Sequence, residues 1–274
     1  MNHINDILKN LISNIESECD PRNLKVKECL FAKFELDPRK TIINYPSRPF
    51  NWKYFAGEFY WYLIKDRKIE EISKYSSFWK KLTNIDSTIN SNYGHLYIGD
   101  QYKWVFDSLS NDKNTRQAVA FYNRPEYQYP SNKDFICTLY NLFYIRDNKL
   151  HMKVQMRSSD LWYGISYDAP WFGAIHQSLF LDLKNVYPEL KLGSYYHFSD
   201  NLHFYERHFD MSNDILKEKA LKNDEIVLKD RLFYIDGSRI LYTNNTKEFI
   251  EKMREANGKN VDYKEILKSV FEIN

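Results

Sequence analysis

Two runs of alternating residues joined by a polar turn constrain the fold of this 274-residue chain more than any other stretch. The first run contains Cys137 and the second spans residues 150–156, with polar residues 146–149 between them. Alternation with a period of two is typical of a strand that buries one face. Two such runs separated by a turn favour neighbouring, paired strands. The sequence therefore predicts a sheet near the centre of the chain.

Reactive side chains cluster around these two strands. Cys137 lies in the first run, Arg157 follows the second, and Asp160 and Asp168 come next, in what we interpret as exit loops. A thiol can act as a nucleophile, and an arginine beside it can hold an anion. One cysteine beside an arginine and paired carboxylates therefore indicates covalent chemistry on an anionic substrate.

Helical periods predict several helices along the chain. Apolar residues recur at helical spacing over residues 4–15, which predicts an amphipathic opening helix. Residues 52–65 are apolar nearly all round, and residues 169–187 have the period of a core helix with Pro170 in its first turn. His176 within that core helix is interpreted as structural.

Further strands are predicted on both sides of the central pair. Residues 25–34 alternate as a strand, and residues 192–205 alternate as one or two strands. Residues 211–274 alternate helical segments with one short strand at 231–235. Because no linker rich in glycine, serine or proline interrupts the chain, we expect one domain.

Three further positions suggest chemistry from the residues alone. Glu58 is the single acid in the apolar segment 52–65, where burial would raise its pKa and suit it to proton transfer. The equally weighted alternative puts Glu58 at a helix edge, reaching water. His203 and Tyr205 are two residues apart, so they share a strand face and can jointly hold a hydroxyl. No third ligand with suitable spacing accompanies them, so we expect no metal site.

Charge and cysteine content exclude several classes of function. A net charge of +2 gives no broad basic field for nucleic acid, and a small anionic ligand fits better. Three cysteines without a disulfide or metal pattern suggest a reducing compartment. No apolar run is long enough to cross a membrane and no signal-peptide core is evident, so we expect a cytoplasmic protein with no membrane partner.

The order and spacing of these residues resemble those of the thymidylate synthase family, and within it most closely the cytidylate hydroxymethylases. The similarity covers roughly residues 20–210, and the final sixty or so residues match poorly. The matching positions are Arg22, Glu58, Tyr93 with Gly94, Arg116, Cys137, the RSSD segment at 157–160, Gly164, Asp168 and the DNLHFY segment at 200–205.

The resemblance implies a fold and an assembly. The fold would be α+β, a single catalytic domain over residues 1–274 with a large bent mixed sheet flanked by helices. Two copies would pair sheet to sheet as a homodimer. The substrates would be a pyrimidine nucleoside monophosphate and a reduced folate, 5,10-methylenetetrahydrofolate, which serves as co-substrate.

The resemblance also implies how the nucleotide is attacked and held. Cys137 would be the nucleophile that adds to C6 of the pyrimidine. Arg157 would hold the 5'-phosphate with Ser158, and Arg22 would add to the phosphate site. Arg116 would reach that site from the partner subunit.

The other roles implied by the resemblance concern the sugar, the base and the folate. His203 and Tyr205 would bind the 3'-hydroxyl of the sugar. Glu58 would organise water and proton transfers at the base. Tyr93 would lie near the nucleophile, and Asp160 would lie near the folate.

Three departures from the family pattern bear on the substrate. Thr138 follows the nucleophile where thymidylate synthases have His, and Gln117 replaces the second arginine of the cross-subunit phosphate clamp. Asp168 stands where they have an Asn that reads uracil. An aspartate can accept from the 4-amino group of cytosine and share a proton with N3, so this position favours cytidylate. The expected reaction is hydroxymethylation of dCMP or CMP at C5.

Alternatives from the same and other classes remain. The chain could be a thymidylate synthase or a dUMP hydroxymethylase with unusual pocket residues, or a non-catalytic relative that binds nucleotide or RNA. A cysteine hydrolase lacks the His partner that would activate Cys137. The sugar is open as well, so a role in viral DNA modification and one in the synthesis of a modified pyrimidine metabolite both stand.

Overall fold

A seven-stranded mixed sheet forms the centre of the computed structural model, which describes residues 2–222 and 224–274. Every pair of neighbours is antiparallel except two, in which β7 runs parallel to β5 and to β6. The expectation of a large mixed sheet flanked by helices is confirmed. Along the sheet the strands are β1 (Ser17–Cys19), β2 (Val26–Leu36), β7 (Lys191–Tyr205), β5 (Lys149–Met156), β4 (Thr138–Arg146) and β3 (Val119–Phe121), and β6 (Ser159–Asp160) pairs with β7 off this path.

The predicted strand pair is present as the β4–β5 hairpin. Its turn residues Asp147 and Asn148 have φ of 49° and 56°, the left-handed conformation that a two-residue hairpin turn requires. Aspartate and asparagine tolerate this conformation better than other residues with a side chain. The apolar side chains of β4 and β5 then alternate in register, with Ile145 opposite Leu150 and Phe143 opposite Met152.

Helices cover one face of the sheet and bury a single apolar cluster against it. The opening helix and the buried helix at 52–65 are confirmed. The helices are α1 (Ile4–Ser13), α2 (Trp52–Ile64), α3 (Ile69–Ser73), α4 (Tyr93–Tyr97), α5 (Asp100–Asn111), α6 (Ile165–Leu183), α7 (Phe209–Lys217), α8 (Asn244–Ala256) and α9 (Tyr263–Leu267).

The core helix begins earlier than its sequence pattern predicts. Helix α6 starts at Ile165, so Pro170 lies in its second turn and Asp168 lies in the first turn, not in an exit loop. Asp160 accepts hydrogen bonds from the backbone N–H groups of Trp162 (2.7 Å) and Tyr163 (3.0 Å), which forms a turn that leads straight into the helix. This side-chain turn starts the helix without a periodic signal.

The chain after residue 210 contains more strands than the one predicted at 231–235. Strands β9 (Phe233–Asp236) and β10 (Arg239–Tyr242) form a hairpin, and β8 (Ile226–Leu228) pairs with β11 (Phe271–Ile273). The second pair joins segments more than forty residues apart, so local periodicity could not reveal it. Strand β7, in contrast, is a single strand of 15 residues.

The segment after residue 243 packs on α2. The ring of Phe271 lies 6.3 Å from that of Phe55 and 5.3 Å from that of Phe59, and Lys53 donates to the carbonyl of Gly258 at 2.7 Å. The C-terminal segment thereby supports the helix that carries Glu58. No helix among the described residues is long and apolar enough to cross a membrane.

Candidate active site

Cys137 lies immediately before β4, beside the end of β5. The backbone N–H of Arg157 donates to the carbonyl of Cys137 at 2.8 Å, which extends the hairpin ladder by one step. The Arg157 guanidinium then folds over the cysteine loop, donating to the carbonyls of Ile136 (3.0 Å) and Phe135. Its Nη2 lies 3.6 Å from the Cys137 sulfur. The hairpin therefore brings the predicted nucleophile and the predicted phosphate ligand into contact.

Charges of both signs surround the Cys137 thiol. Burial raises its pKa above the ordinary value, and the Arg157 guanidinium opposes that effect most strongly. Asp168 and Asp134 raise the pKa further, while Arg22 lowers it. The thiolate is the reactive form of cysteine. In this arrangement the thiol keeps its proton near neutral pH.

Arg22 approaches the site from a strained turn. It lies between β1 and β2 with φ 55° and ψ 35°, and Asn23 next to it has φ 60°. Left-handed residues other than glycine are uncommon and are found often at binding sites. Arg22 is exposed and contributes positive charge at both Cys137 and His203. The turn thus directs a second cation to the mouth of the site.

The end of β7 carries His203 and Tyr205 on one face, as their spacing predicts. Their rings meet edge to face with centroids 5.4 Å apart. In the parallel β6–β7 ladder Asp160 is the register partner of His203. Burial lowers the pKa of His203, with Asp160 opposing it, so the imidazole is neutral near pH 7.

Glu58 lies inside the protein, so the alternative in which it reaches water from a helix edge is wrong. Its side chain is 5% exposed, and its Oε1 accepts a hydrogen bond from the Tyr54 hydroxyl at 2.8 Å. Trp79 donates in turn to that hydroxyl at 3.1 Å. Burial raises the pKa of Glu58 to about 7, even though the hydroxyls of Tyr54 and Tyr62 lower it. A carboxyl group with this pKa exchanges a proton readily at neutral pH.

Asp168 projects from the first turn of α6 towards the same region. Burial raises the pKa of Asp168 well above its usual range, and the nearby charges of Glu58 and Asp160 raise it further. Gly164 leaves room for this carboxyl, since a Cβ there would lie 3.3 Å from Asp168 Oδ2 and 2.7 Å from the Asp160 carbonyl oxygen. The fold therefore provides a second acid that favours its protonated form.

Tyr93 interacts electrostatically with both Asp168 and Cys137. It is 4% exposed, and its ring stacks on Tyr62 and Phe172 at centroid distances of 5.3 and 5.5 Å. Its pKa is raised by burial and by the charges of Asp168 and Cys137, and the Thr138 hydroxyl lowers it. Gly94 allows this packing, because a Cβ there would lie 1.7 Å from the Tyr62 carbonyl oxygen.

Arg116 is the one predicted site residue that lies apart from the cluster. It is exposed in the loop before β3, and the neighbouring carbonyl of Asn114 accepts from Arg146 at the turn end of the hairpin. Cys137 lies at the other end of β4. Arg116 shares a surface groove with Gln117, Trp104 and Phe121. Ser158, in contrast, is half-buried next to Arg157.

Comparison with known proteins identifies the family to which this chain belongs. A family model described as "Thymidylate synthase" matches residues 2–243. The chain belongs to the thymidylate synthase family. The predicted family is thus confirmed, and the match reaches beyond residue 210, to the end of β10. Helices α8 and α9 and strand β11 lie outside the matched range.

The relatives of this thymidylate synthase-family chain include hydroxymethyltransferases of two base specificities. The deoxycytidylate 5-hydroxymethyltransferases of Enterobacteria phages T6 and T4 are 31% identical over 170 residues, which are 58% of this chain and 69% of theirs. The deoxyuridylate hydroxymethyltransferase of Bacillus phage SP01 is 27% identical over 263 residues, 86% of this chain and 67% of its own. The family and these relatives indicate an enzyme that transfers a one-carbon unit.

A solved structure agrees with the fold. The thermostable thymidylate synthase A from Bacillus subtilis superposes with a TM-score of 0.71, covering 89% of this chain and 95% of that one, at 16% sequence identity. At that identity the match supports the architecture alone.

Sequence reasoning missed the residues that support this thymidylate synthase-like site. Tyr54 lies one helical turn before Glu58, so the spacing could have suggested their contact. Arg48 donates to the Trp162 carbonyl and lies over the rings of Trp162 and Tyr167, which no local pattern signals. Asp134 is likewise found only through its tertiary contacts.

Proposed function

We propose that this protein is a cytidylate 5-hydroxymethyltransferase, which converts dCMP or CMP and 5,10-methylenetetrahydrofolate to the 5-hydroxymethyl nucleotide and tetrahydrofolate. We propose further that residues 1–274 form one catalytic domain. The observation that carries the proposal is the environment of Asp168, whose pKa is raised by burial and by two neighbouring acids.

The Asp168 carboxyl is suited to the cytosine edge. Cytosine offers a 4-amino donor and an unprotonated N3, so a carboxyl that accepts from the amine needs a proton to share with N3. A raised pKa makes that proton available near neutral pH. In this reading Asp168 binds the base and stabilises charge that develops on N3 during attack at C6.

Cys137 would form the covalent bond to the base. Its sulfur adds to C6, which makes C5 a nucleophile towards the one-carbon unit supplied by the folate. After the C5 proton and the folate have left, water adds to the exocyclic methylene and the S–C6 bond breaks. Arg157, Ser158 and Arg22 would hold the 5'-phosphate, while His203 and Tyr205 would hold the 3'-hydroxyl.

Glu58 would manage the water that distinguishes a hydroxymethyltransferase from a synthase. With a pKa of about 7 it can take a proton from that water and return one to the base within one turnover. The Tyr54 hydroxyl fixes the carboxyl for this role. Tyr93, between Cys137 and Asp168, would orient the proton transfers near the nucleophile.

The residues around Asp160 fit the folate co-substrate. Asp160 is a half-buried carboxylate that can accept from the N–H groups of a pterin, and the neighbouring Tyr163 ring is 59% exposed and offers a flat apolar surface. These two side chains would hold the folate against the base.

The position of Arg116 suggests that the site is completed by a second subunit. Because it lies apart from Cys137 in its own chain, it could reach a phosphate only in another subunit. We propose a homodimer in which Arg116 of each subunit completes the phosphate site of the other, with Gln117 leaving that clamp one charge short of the family pattern.

One competing function is favoured by a specific observation. The match to the phage SP01 deoxyuridylate hydroxymethyltransferase spans 86% of this chain, more than the matches to the deoxycytidylate enzymes. The same chemistry on dUMP is therefore the second candidate.

A single experiment separates these functions. The protein is incubated with dCMP, CMP or dUMP and isotopically labelled methylenetetrahydrofolate, and products are identified by mass spectrometry. Labelled 5-hydroxymethyl-dCMP or 5-hydroxymethyl-CMP is expected. Formation of 5-hydroxymethyl-dUMP would support the second candidate, and a methylated product with dihydrofolate would identify a synthase. No product and no covalent adduct with a 5-fluoropyrimidine nucleotide would indicate a non-catalytic relative.

A further inference from the structure

A buried carboxylate lies three residues before the proposed nucleophile. Asp134 is 4% exposed, and its two oxygens accept from the backbone N–H of Ser91 at 2.7 Å and from the Ser91 hydroxyl. Both partners are donors, as an ionised carboxylate requires. Charge-assisted bonds of this kind are stronger than those between neutral groups.

Backbone and amide groups extend this contact into a network. The Asp134 N–H donates to Asn132 Oδ1 at 2.9 Å, and the Asp134 carbonyl accepts from Asn90 Nδ2 at 3.2 Å. Arg67 donates to Asn90 Oδ1 at 2.9 Å. Two loops that are more than forty residues apart in sequence are thereby fixed together.

Each of these loops leads directly to a residue of the candidate site. Two residues after Ser91 the chain reaches Tyr93, whose helix α4 is capped by the side chain of Asn92. Three residues after Asp134 it reaches Cys137. The network therefore sets the distance between residues 91–93, the Tyr93 turn, and residues 134–137, the nucleophile loop.

The Asp134 charge also acts at the thiol. Burial raises the pKa of Cys137; the charges of Arg157 and Arg22 oppose that effect, and those of Asp168 and Asp134 reinforce it. Tyr93 also interacts electrostatically with Cys137. Burial raises the pKa of Asp134 above its ordinary value, while the hydrogen bonds from Ser91 and the charge of Arg157 oppose that effect. A change that removes only the Asp134 charge should let the two arginines act on the thiol with less opposition.

We propose that Asp134 is a positioning residue, which fixes the nucleophile loop against the Tyr93 turn and opposes the arginine charge at Cys137. Its catalytic consequence rests on the proposed role of Cys137, whereas its effect on the thiol does not. No sequence motif marks this position, and its contacts become visible only in the folded chain.

Thiol reactivity in the full-length protein tests the proposal directly. The rate of Cys137 alkylation by iodoacetamide is followed against pH for wild type and Asp134→Asn, with peptide mass spectrometry to separate Cys137 from Cys19 and Cys29. The Asp134→Asn profile should shift to lower pH. The kcat should fall on the order of 10- to 100-fold through misplacement, with KM for the nucleotide changed by less than about threefold.

Asp182→Asn is the matched control. Asp182 is 3% exposed and its carboxylate is held by the side chains of Tyr102 and Arg231, but it lies at the end of α6 and is not among the groups that act on Cys137. Its alkylation profile and kcat should match wild type. An unchanged profile in Asp134→Asn, or an equal loss of kcat in Asp182→Asn, would overturn the proposal.

Ser91→Ala separates geometry from charge and keeps the test open if Asp134→Asn does not fold. It removes one hydrogen bond and leaves the carboxylate in place. The kcat should fall several-fold with the alkylation profile unmoved, and an unchanged kcat would count against positioning. If wild type turns over no nucleotide, the proposed function fails while the alkylation profiles still decide the role of Asp134 at the thiol.

Discussion

The strand side and the helix side of the site differ in burial and in charge. At the ends of β5 and β7 and in the turn before β2, Arg157 and Tyr205 are half-buried and Arg22 is exposed. On α2 and α6, burial raises the pKa values of Glu58 and Asp168. One side presents cations near solvent, and the other keeps acids away from it.

This difference suits the proposed role of each side, phosphate binding on the strand side and proton transfer on the helix side. A phosphate needs cations that remain accessible, because it enters and leaves in water and is recognised by charge-assisted hydrogen bonds. Proton transfer at pH 7 needs groups with pKa near 7, which for a carboxyl requires burial. Only Cys137 belongs to both sides, with arginines on one flank and acids on the other.

The strongest test of the strand side is Cys137→Ser. If the thiol forms the covalent bond, kcat should fall at least on the order of 10⁴-fold, because a serine hydroxyl is a poorer nucleophile. Nucleotide binding, measured by calorimetry, should change little. Measurable hydroxymethylation by this variant at more than about a hundredth of the wild-type rate would remove Cys137 from the chemistry.

Glu58→Gln tests the helix side. Loss of the only buried acid of α2 should lower kcat on the order of 10²- to 10⁴-fold, since the amide cannot exchange protons with water. The variant should still form the covalent adduct with a 5-fluoropyrimidine nucleotide, which depends on the strand side. Failure to form that adduct would show that the two sides do not divide the reaction as described.

Asp168→Asn asks whether the helix side also selects the base. Replacing the carboxyl with an amide should lower kcat/KM for cytidylate roughly 10- to 100-fold, the value of one or two hydrogen bonds, and raise it for uridylate. The ratio of the two kcat/KM values is the measurement. An unchanged ratio contradicts the assignment of Asp168.

Arg116→Ala tests whether the partner subunit contributes to the strand side in the proposed dimer. Loss of one phosphate contact should raise KM for the nucleotide on the order of tenfold. This variant is then dissociated, mixed with Cys137→Ser and reassembled, so that half of the dimers contain one subunit of each kind. Each mixed dimer has one intact site, so about a quarter of the wild-type sites should be recovered. No recovery, or a monomer at micromolar concentration, would place Arg116 outside the site.

The last expected effect concerns stability and not activity. Glu58 has a pKa of about 7 in the fold against 4.5 when unfolded, so the folded state binds more protons between these values and stability falls as pH rises through them. The cost at pH 8 is about 3 kcal/mol. Glu58→Gln should therefore melt higher than wild type at pH 8 and equal it near pH 4.5. Parallel melting curves across this range would contradict the raised pKa.

Local pattern accounted for the elements whose burial follows their own sequence. The β4–β5 hairpin, α1 and α2 were predicted because periodicity and turn chemistry act over neighbouring residues. The start of α6 was predicted wrongly, because Asp160 organises that turn through its side chain. The β8–β11 pair was missed because its two strands are more than forty residues apart in sequence, beyond the reach of local periodicity.

The same division holds in the site. The sequence by itself determined which residue types are present and in what order, and this order sufficed to predict the family and to nominate Cys137, Glu58 and Asp168. The tertiary structure alone decided the pKa values of these residues, since a pKa depends on burial and on charges from distant segments. Asp134 is the clearest case, because Ser91 reaches it from a loop more than forty residues earlier in the chain.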